Sequence, residues 1–269
     1  MKDAGTATGT LQHLAGDGRV LWSMLRGGRS RSTNRQGDAH PADHADALQR
    51  FYAPQAARYD HFRERLLQGR RELIERLAPP PGSVVIDLGG GTGRNLEFFG
   101  PRMLSLARVE VVDICPALLD IARRRCAQWP EVAAAVEADA ATYRPPRSAG
   151  QSRAGVVDCV LFSYSLTMMP DWRAALDNAL AMLRPGGLIG VVDFRISRAD
   201  PPPGYRRHGA LARAFWPRWF GHDGVRLSPE HLHTLAHRTH TVFLAEREAR
   251  LPYLPGLHAP YYLYIGSNP

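Results

Sequence analysis

Short apolar runs rich in β-branched residues alternate with segments of helical periodicity along most of the chain. The runs predict strands at residues 84–87, 109–113, 134–139, 156–162 and 188–194. Helices are predicted between them, one after Arg94, one that opens with Pro116 and one that is capped by Asp171. This alternation is typical of a parallel sheet with helices on both faces.

The pattern differs on either side of these five strands. Apolar residues three or four apart predict one continuous helix over residues 62–77. After the fifth strand, residues 196–239 carry proline-rich, aromatic and histidine-rich stretches and predict an insertion, either a lid or a lipid-facing surface. Two further strands at residues 241–246 and 261–266 bring the total to seven. Residues 184–187 predict a turn before the fifth strand.

The chain divides into a tail and one domain. Residues 1–45 are rich in Gly, Ser, Thr, Asp and Arg with a single apolar island, and predict a disordered basic tail. Residues 46–269 are expected to form one α/β domain, in which residues 46–80 make an N-terminal helical cap. A polar loop is predicted at residues 145–155.

Charge and cysteine content bear on location and partners. The formal net charge is +8 and Lys2 is the only lysine, so the positive charge comes from arginines that attract phosphate groups. Three cysteines without close spacing argue against a disulfide framework and for a cytoplasmic protein. No apolar run approaches the ~18 residues of a membrane span, so any membrane contact is expected to be peripheral.

A glycine-rich motif, Asp87-Leu88-Gly89-Gly90-Gly91-Thr92-Gly93, stands where the first strand turns into a helix. Glycines there allow backbone N–H groups and the helix N-terminus to approach a ligand. A dinucleotide fingerprint requires Gly or Ala where Arg94 stands, which disfavours NAD. The spacing instead resembles the cofactor loop of class I S-adenosylmethionine (SAM) methyltransferases.

Two acidic residues downstream agree with a SAM site. Asp113 closes the second strand, 20 residues after Gly93, where a carboxylate is expected to bind the ribose hydroxyls. Asp139 follows the third strand, where an acceptor for the adenine amino group is expected, although an Asp there is also a common turn residue. The predicted cofactor-binding residues are Asp87, Gly89, Gly91, Gly93, Asp113, Ile114, Asp139, Ala140, Ser163, Tyr59 and Arg70.

From about residue 48 to its end, the chain also resembles the BtaB-type N-methyltransferases of betaine-lipid synthesis. The most specific part is Ser163-Tyr164-Ser165-Leu166 before Pro170-Asp171-Trp172. Further matching stretches are Arg58-Tyr59-Asp60, residues 66–70, Gly91-Thr92-Gly93-Arg94-Asn95, Val192-Asp193-Phe194, residues 215–220 and residues 260–266. The resemblance implies a class I methyltransferase, Rossmann-like fold and SAM-dependent methylation of the amine of diacylglyceryl-homoserine, three times in succession.

Residues at the end of the fourth strand are candidates for the acceptor side of the site. We expect Tyr164 to be the catalytic residue that contacts the substrate amine, because an aromatic ring tolerates a growing positive charge. Packing of Tyr164 beneath the cofactor is an equal alternative. Tyr52, Tyr59 and Arg70 are expected to fold over SAM, whereas for Arg70 a solvated helix face is the competing interpretation.

The aromatic and basic segment at residues 215–220 predicts contact with a membrane interface through Phe215, Trp216, Arg218 and Trp219. A buried aromatic plug is the alternative. His231, His233, His237 and His240 lack a matching Cys or carboxylate, and no metal is expected.

Three functions from different classes remain open. The first is N-methylation of a lipid amine at an anionic membrane surface, with the enzyme that makes diacylglyceryl-homoserine as a candidate partner. The second is C- or O-methylation of a quinone precursor or another hydrophobic molecule. The third is a non-catalytic SAM- or nucleic-acid-associated module, which the lack of an RNA-binding signature disfavours, so no nucleic acid is expected.

Overall fold

The computed structural model describes residues 46, 48–50, 66–146, 155–221, 224–251 and 256–269. The predictions for the tail at residues 1–45, for Tyr52 and Tyr59, and for most of the loop at residues 145–155 lie outside the described residues.

Seven strands form one sheet in the order β3-β2-β1-β4-β5-β7-β6. Strands β1 to β5 pair in parallel, and β7 is antiparallel to both of its neighbours. The predicted seven-stranded, mostly parallel α/β fold is therefore confirmed. The strands are β1 (Val84–Leu88), β2 (Arg108–Asp113), β3 (Ala133–Glu137), β4 (Val157–Ser163), β5 (Leu183–Phe194), β6 (His240–Arg250) and β7 (His258–Ser267).

Helices cover both faces of this sheet and bury an apolar cluster on each. Pro116 opens α2 at a position where its missing N–H costs no hydrogen bond, and the Asp171 carboxylate caps α3 by accepting from the Ala174 N–H at 3.1 Å. The α-helices are α1 (Arg70–Leu77), α2 (Pro116–Cys126), α3 (Trp172–Met182), α4 (Ala210–Gly221) and α5 (His231–Arg238), and 3₁₀ segments span Arg94–Ser105 and Leu166–Met168.

The predicted helix over residues 62–77 is wrong as one continuous element. Within its described part, the chain turns at residues 67–69 and α1 begins only at Arg70. Gly69 has φ 86°, a left-handed conformation that interrupts a helix. Leu73, Ile74 and Leu77, whose spacing carried the prediction, are buried as expected.

The predicted turn at residues 184–187 lies inside strand β5. Val157 pairs with Leu183 and Cys159 pairs with Leu188, so four residues of β5 bulge out between two pairings. Gly186 has φ 75°, which fits this bulge. The last two strands are longer than predicted, because β6 and β7 pair with each other over most of their length.

The insertion at residues 196–239 contains α4 and α5, and the ion pair of Arg206 with Glu248 joins it to β6 of the sheet. Buried Arg195, at the end of β5, pairs with Glu246 of β6. The Arg198 guanidinium donates to Glu230 at 2.8 Å and joins the start of the insertion to the residue before α5. Within the described ranges, no helix is both long and apolar enough to cross a membrane.

Candidate methyl-transfer site

A large cavity opens at the carboxyl ends of β1, β2 and β4. The order of the sheet reverses between β1 and β4, and this is where open α/β sheets bind ligands. Its walls include the glycine loop and the stretch after β4, and of the predicted cofactor residues it contains Gly89, Gly91, Asp113, Ile114, Asp139, Ala140, Ser163 and Arg70.

The glycine loop needs glycine for steric reasons. Gly89, Gly91 and Gly93 have φ values of 70°, 56° and 70°, which residues with a side chain rarely adopt. A Cβ on Gly89 would lie 2.5 Å from the Cβ of Ser165. The loop therefore presents bare backbone to the cavity, although Gly93 itself packs against α2 and does not line it.

The Asp113 carboxylate fastens this loop to the end of β2. One of its oxygens accepts from the Gly91 N–H at 2.9 Å and the other accepts from the Cys115 N–H at 2.9 Å. Burial raises the pKa of Asp113, and the backbone N–H donors oppose that shift. Each oxygen keeps a second lone pair, so the carboxylate can also accept hydroxyl groups from a ligand in the cavity.

Asp87 lies beneath the loop, where its carboxylate holds the Asn95 side chain by a hydrogen bond. It is buried, and one carboxylate oxygen accepts from the Asn95 side-chain amide at 2.9 Å. Its other oxygen has no hydrogen-bond partner in the described part of the chain. Burial raises its pKa to about 6. Asn95 lines the cavity and Asp87 does not, so the predicted contact of Asp87 with the cofactor is replaced by an indirect one.

Asp139 is a turn residue and also lies in the cavity wall, so contact with adenine stays a prediction. Its carboxylate accepts from the Ala141 N–H at 2.8 Å, which makes it a turn residue, and the same residue lines the cavity. The neighbouring Ala140 carbonyl accepts from the Asn178 side-chain amide at 2.7 Å. Asn178 of α3 thus fixes this wall from behind, a role that no feature of the sequence indicated.

Leu48 covers one side of the cavity, and its neighbour Gln49 holds the segment to α2. Leu48 lines the cavity and packs against Leu118, while the Gln49 side-chain oxygen accepts from the Ala117 N–H at 3.1 Å at the N-terminus of α2. These residues belong to the predicted N-terminal cap. Sequence reasoning placed a cap here but did not find either residue.

Tyr164 is part of the cavity wall, and its hydroxyl is engaged. It donates to the Gln68 carbonyl at 2.6 Å, and its ring packs on Phe194 with centroids 4.8 Å apart. Tyr164 has φ 56°, a strained value for a non-glycine residue. Burial raises its pKa well above the ordinary value. The ring remains a candidate contact for the substrate, whereas the hydroxyl is already used in a hydrogen bond within the protein.

The serines on either side of Tyr164 also donate hydrogen bonds to other groups of the protein. Ser165 Oγ donates to the Leu88 carbonyl at 2.8 Å, and Ser163 Oγ lies 3.5 Å from the Asn95 side-chain oxygen. Both line the cavity. Their oxygens can therefore accept a hydrogen bond from a ligand N–H.

Arg70 lies in the cavity wall rather than on a solvated helix face. It is 9% exposed, and its guanidinium lies 5.5 Å from the centroid of the Phe98 ring. The charge of Arg70 lowers the pKa of Asp87, against the larger effect of burial. A carboxylate ligand is the partner that this placement favours.

The residues predicted for a membrane interface separate in the structure. Trp216 is buried at 5% exposure, so its predicted direct contact with lipid is wrong for this conformation, and it forms the plug that was the alternative. Phe215 and Arg218 are exposed, and Trp219 is partly buried. No described residue of the insertion lines the cavity, which does not support the interpretation of a lid over the cofactor.

The histidines are dispersed. His231 is buried against Trp172, with ring centroids 4.5 Å apart, and His233 stacks on His237. Among the residues that the structure describes, no group of three His, Cys, Asp or Glu side chains is placed to hold a metal.

Three features of the cavity fit SAM. The bare glycine loop lets the ligand approach the protein backbone, the carboxylate at the end of β2 suits the ribose hydroxyls, and the turn after β3 suits the adenine. Fold and site together are those of the class of SAM-dependent methyltransferases, whose cofactor is SAM. The chain matches the family model described as "Methyltransferase domain" over residues 59–246, and it belongs to this family.

Relatives and solved structures agree with this class. The chain is 29% identical over 129 residues to a ubiquinone/menaquinone biosynthesis C-methyltransferase of Hydrogenovibrio crunogenus, covering 46% of this chain and 47% of that protein. It is 31% identical over 135 residues to a trans-aconitate 2-methyltransferase of Methylobacterium radiotolerans, covering 50% and 47%. The chain therefore spans about half the length of these relatives.

The fold is shared with a phosphoethanolamine N-methyltransferase of Haemonchus contortus at a TM-score of 0.62 and 14% identity, covering 86% of this chain and 62% of that one. It is also shared with a 1,6-didemethyltoxoflavin N1-methyltransferase of Burkholderia thailandensis, bound to S-adenosylhomocysteine, at 0.55 and 20%, covering 87% and 93%.

Proposed function

We propose that this methyltransferase acts on the amine of diacylglyceryl-homoserine and methylates it in successive steps to the trimethylated betaine lipid. The observation that carries the proposal is positional. The segment after β4, on which the resemblance to betaine-lipid N-methyltransferases mainly rests, supplies Ser163, Tyr164, Ser165 and residues 168–171 to the cavity wall. The family-specific part of the sequence therefore lies in the wall of the cavity, at the carboxyl end of β4, which supports an acceptor-binding role for it.

The residues around this wall suit an amine acceptor. Bound SAM would supply an already activated sulfonium methyl group, and the amine nitrogen would bond to the methyl carbon as the carbon–sulfur bond breaks and S-adenosylhomocysteine leaves. Each of the first two products would release a proton to water before the next transfer. The oxygens of Ser163 and Ser165 can accept from the amine N–H groups and so direct the nitrogen lone pair, while the Tyr164 ring stabilises the positive charge that forms on nitrogen. Met168 and Met169 add an apolar wall beside them.

The implied setting is a cytoplasmic enzyme that associates peripherally with the membrane that holds its substrate. Docking of the enzyme that makes diacylglyceryl-homoserine is part of the same proposal. The charge of the chain, +8 at pH 7, supports contact with anionic lipid surfaces.

Mass spectrometry of reaction products tests the proposal. The wild-type chain with SAM and diacylglyceryl-homoserine in mixed micelles should yield mono-, di- and trimethylated lipid. Tyr164→Phe keeps the ring and should still reach the trimethyl product, whereas Tyr164→Ala should accumulate the earlier products.

A parallel assay with a demethylated quinol as acceptor addresses the main alternative, which the similarity to quinone C-methyltransferases favours. Methylation of the quinol, together with no product from the homoserine lipid, would replace the proposal by C-methylation.

A further inference from the structure

Helix α4 is apolar on two opposite faces. Its inner residues Trp216 and Phe220 are 5% and 4% exposed, and their rings stack with centroids 5.5 Å apart. On its outer side, Leu211 is 87% exposed and Phe215 is 40% exposed. A surface helix normally turns a polar face to water, so the outer side of α4 departs from that rule.

The outer residues form one continuous stripe. The exposed residues Leu211, Ala214, Phe215 and Arg218 have the spacing i, i+3, i+4 and i+7, which places them on a single helix face. The Trp219 ring lies 5.5 Å from the Phe215 ring and extends the stripe. We call Leu211, Ala214, Phe215 and Trp219 the α4 ridge.

The charged residues within helix α4, which lie beside the α4 ridge, are of one sign. Helix α4 contains two arginines and no acidic residue, and Arg207 and Arg226 are exposed nearby. The Glu230 carboxylate, farther along the insertion, is paired with Arg198. An apolar ridge with a basic border complements a surface that combines hydrocarbon with negative charge.

The α4 ridge lies close to the methyl-transfer cavity. The Phe220 ring on the inner face of α4 contacts Phe194, with centroids 4.4 Å apart, and Phe194 contacts the cavity residue Tyr164. A helix with its side chains is about 10 Å across, so the outer ridge lies roughly one helix beyond the cavity wall. A lipid headgroup at the ridge is thus near the acceptor side of the site.

We propose that the α4 ridge docks on the surface of an anionic phospholipid bilayer, with Leu211 and Phe215 inserted among the acyl chains and Arg218 paired with headgroup phosphates. The choice of occupant rests on charge complementarity. The biological purpose of this docking rests on the proposed function, but the docking itself does not require it.

Vesicle co-sedimentation of the full chain tests the proposal, without substrate and without SAM. Vesicles of phosphatidylcholine alone are compared with vesicles that also contain phosphatidylglycerol, at low and high salt. Wild type should bind the anionic vesicles, and salt should remove only part of the binding, since screening acts on the charges and not on inserted side chains.

Two variants separate the contributions. Leu211→Ser with Phe215→Ser should lower the partition coefficient about tenfold or more. Arg218→Gln should lower it roughly fivefold at low salt, with a smaller effect at high salt. Tryptophan fluorescence should shift to the blue on binding in wild type and not in the double variant.

Matched controls make the same changes elsewhere. Leu104 and Val242 are 76% and 61% exposed, so Leu104→Ser with Val242→Ser removes comparable exposed apolar area. Arg124→Gln removes one charge from an exposed site on α2. Both controls should bind vesicles like wild type, and calorimetry should give every variant the wild-type affinity for SAM.

Absence of wild-type binding to anionic vesicles, or equal binding by the double variant, would overturn the proposal. So would a concentration-dependent dimer that the double variant abolishes, because the ridge would then contact a second copy of the chain. Methylation of the homoserine lipid in detergent micelles without vesicle binding would refute docking alone. Vesicle binding without that methylation would refute the proposed substrate alone.

Discussion

At the residue scale, the Asp113 side chain both shapes the glycine loop and is placed to bind a ligand. Its two bonds to the Gly91 and Cys115 N–H groups shape the glycine loop, and its remaining lone pairs can accept hydroxyl groups from a ligand in the cavity. Asp113→Ala should therefore weaken SAM binding about tenfold or more, since hydrogen bonds to a charged group contribute ~1.5–3 kcal/mol each. Isothermal titration calorimetry measures the change.

Asp120→Asn is the control for this prediction, because Asp120 is an exposed acid on α2 whose pairing with Arg123 is local. It should bind SAM like wild type. An unchanged dissociation constant in Asp113→Ala would contradict the placement of the cofactor at this carboxylate.

Spacing in the sequence is enough to find Asp113 and the glycines, because motif and strand order fix them together. It cannot find Asn95 or Asn178, whose roles depend on side-chain amides that reach Asp87 and the Ala140 carbonyl across the fold. A neutral amide in a sequence gives no signal of this kind.

At the element scale, Tyr164 joins the end of β4 to the turn before α1. Tyr164→Phe removes the hydrogen bond to the Gln68 carbonyl while keeping the ring on Phe194. We expect the free energy of unfolding to fall by about 1 kcal/mol. SAM affinity should fall as well, because Leu67 and Arg70, which flank Gln68, line the cavity.

Tyr262→Phe is the matched control. The Tyr262 hydroxyl is buried and has no hydrogen-bond partner among the described residues, so its removal should not destabilise the protein. Urea denaturation and calorimetry compare the two variants with wild type. Equal stability and equal SAM affinity for Tyr164→Phe and wild type would show that the turn does not depend on this bond.

The positions of β1, β2 and β4 were predictable because these central parallel strands are buried on both faces and appear as apolar runs, whereas the edge strand β3 is partly exposed. The break before α1 was not predictable. Gly69 lies within an uninterrupted helical pattern, and it is the close approach of Tyr261, 2.9 Å from where a Cβ would lie, that explains a glycine there. Such contacts come from distant parts of the chain.

At the scale of the whole molecule, the insertion shows the limit of composition as evidence. Aromatic and basic residues at positions 215–220 suggested one surface, but helical geometry sends Trp216 and Phe220 inward and leaves Phe215 and Arg218 outside. The sequence provides both readings, membrane contact and buried plug, and the fold assigns each to a different face of α4.

The pH dependence of stability is also a property of the whole molecule, because burial shifts the pKa values of its histidines and carboxyls in opposite directions. Burial lowers the pKa of His208 and His231 to about 4 and raises the pKa of Asp87 and Asp193 to about 6. As pH falls from about 6.5 to 4, the unfolded chain protonates histidines that the folded protein keeps neutral, which lowers stability. The carboxyls take up protons in the folded state and oppose this loss.

His231→Phe isolates one of these contributions. Both ring nitrogens of His231 lack partners among the described residues, so a phenyl ring on Trp172 should be tolerated. The stability of wild type relative to the variant should fall by up to about 3 kcal/mol between pH 6.5 and pH 4, since Asp87 and Asp193 are common to both proteins and cancel. Urea denaturation across this range measures it, with His240→Phe at an exposed position as the control. A difference between wild type and His231→Phe that does not change with pH would show that His231 is not held neutral by burial.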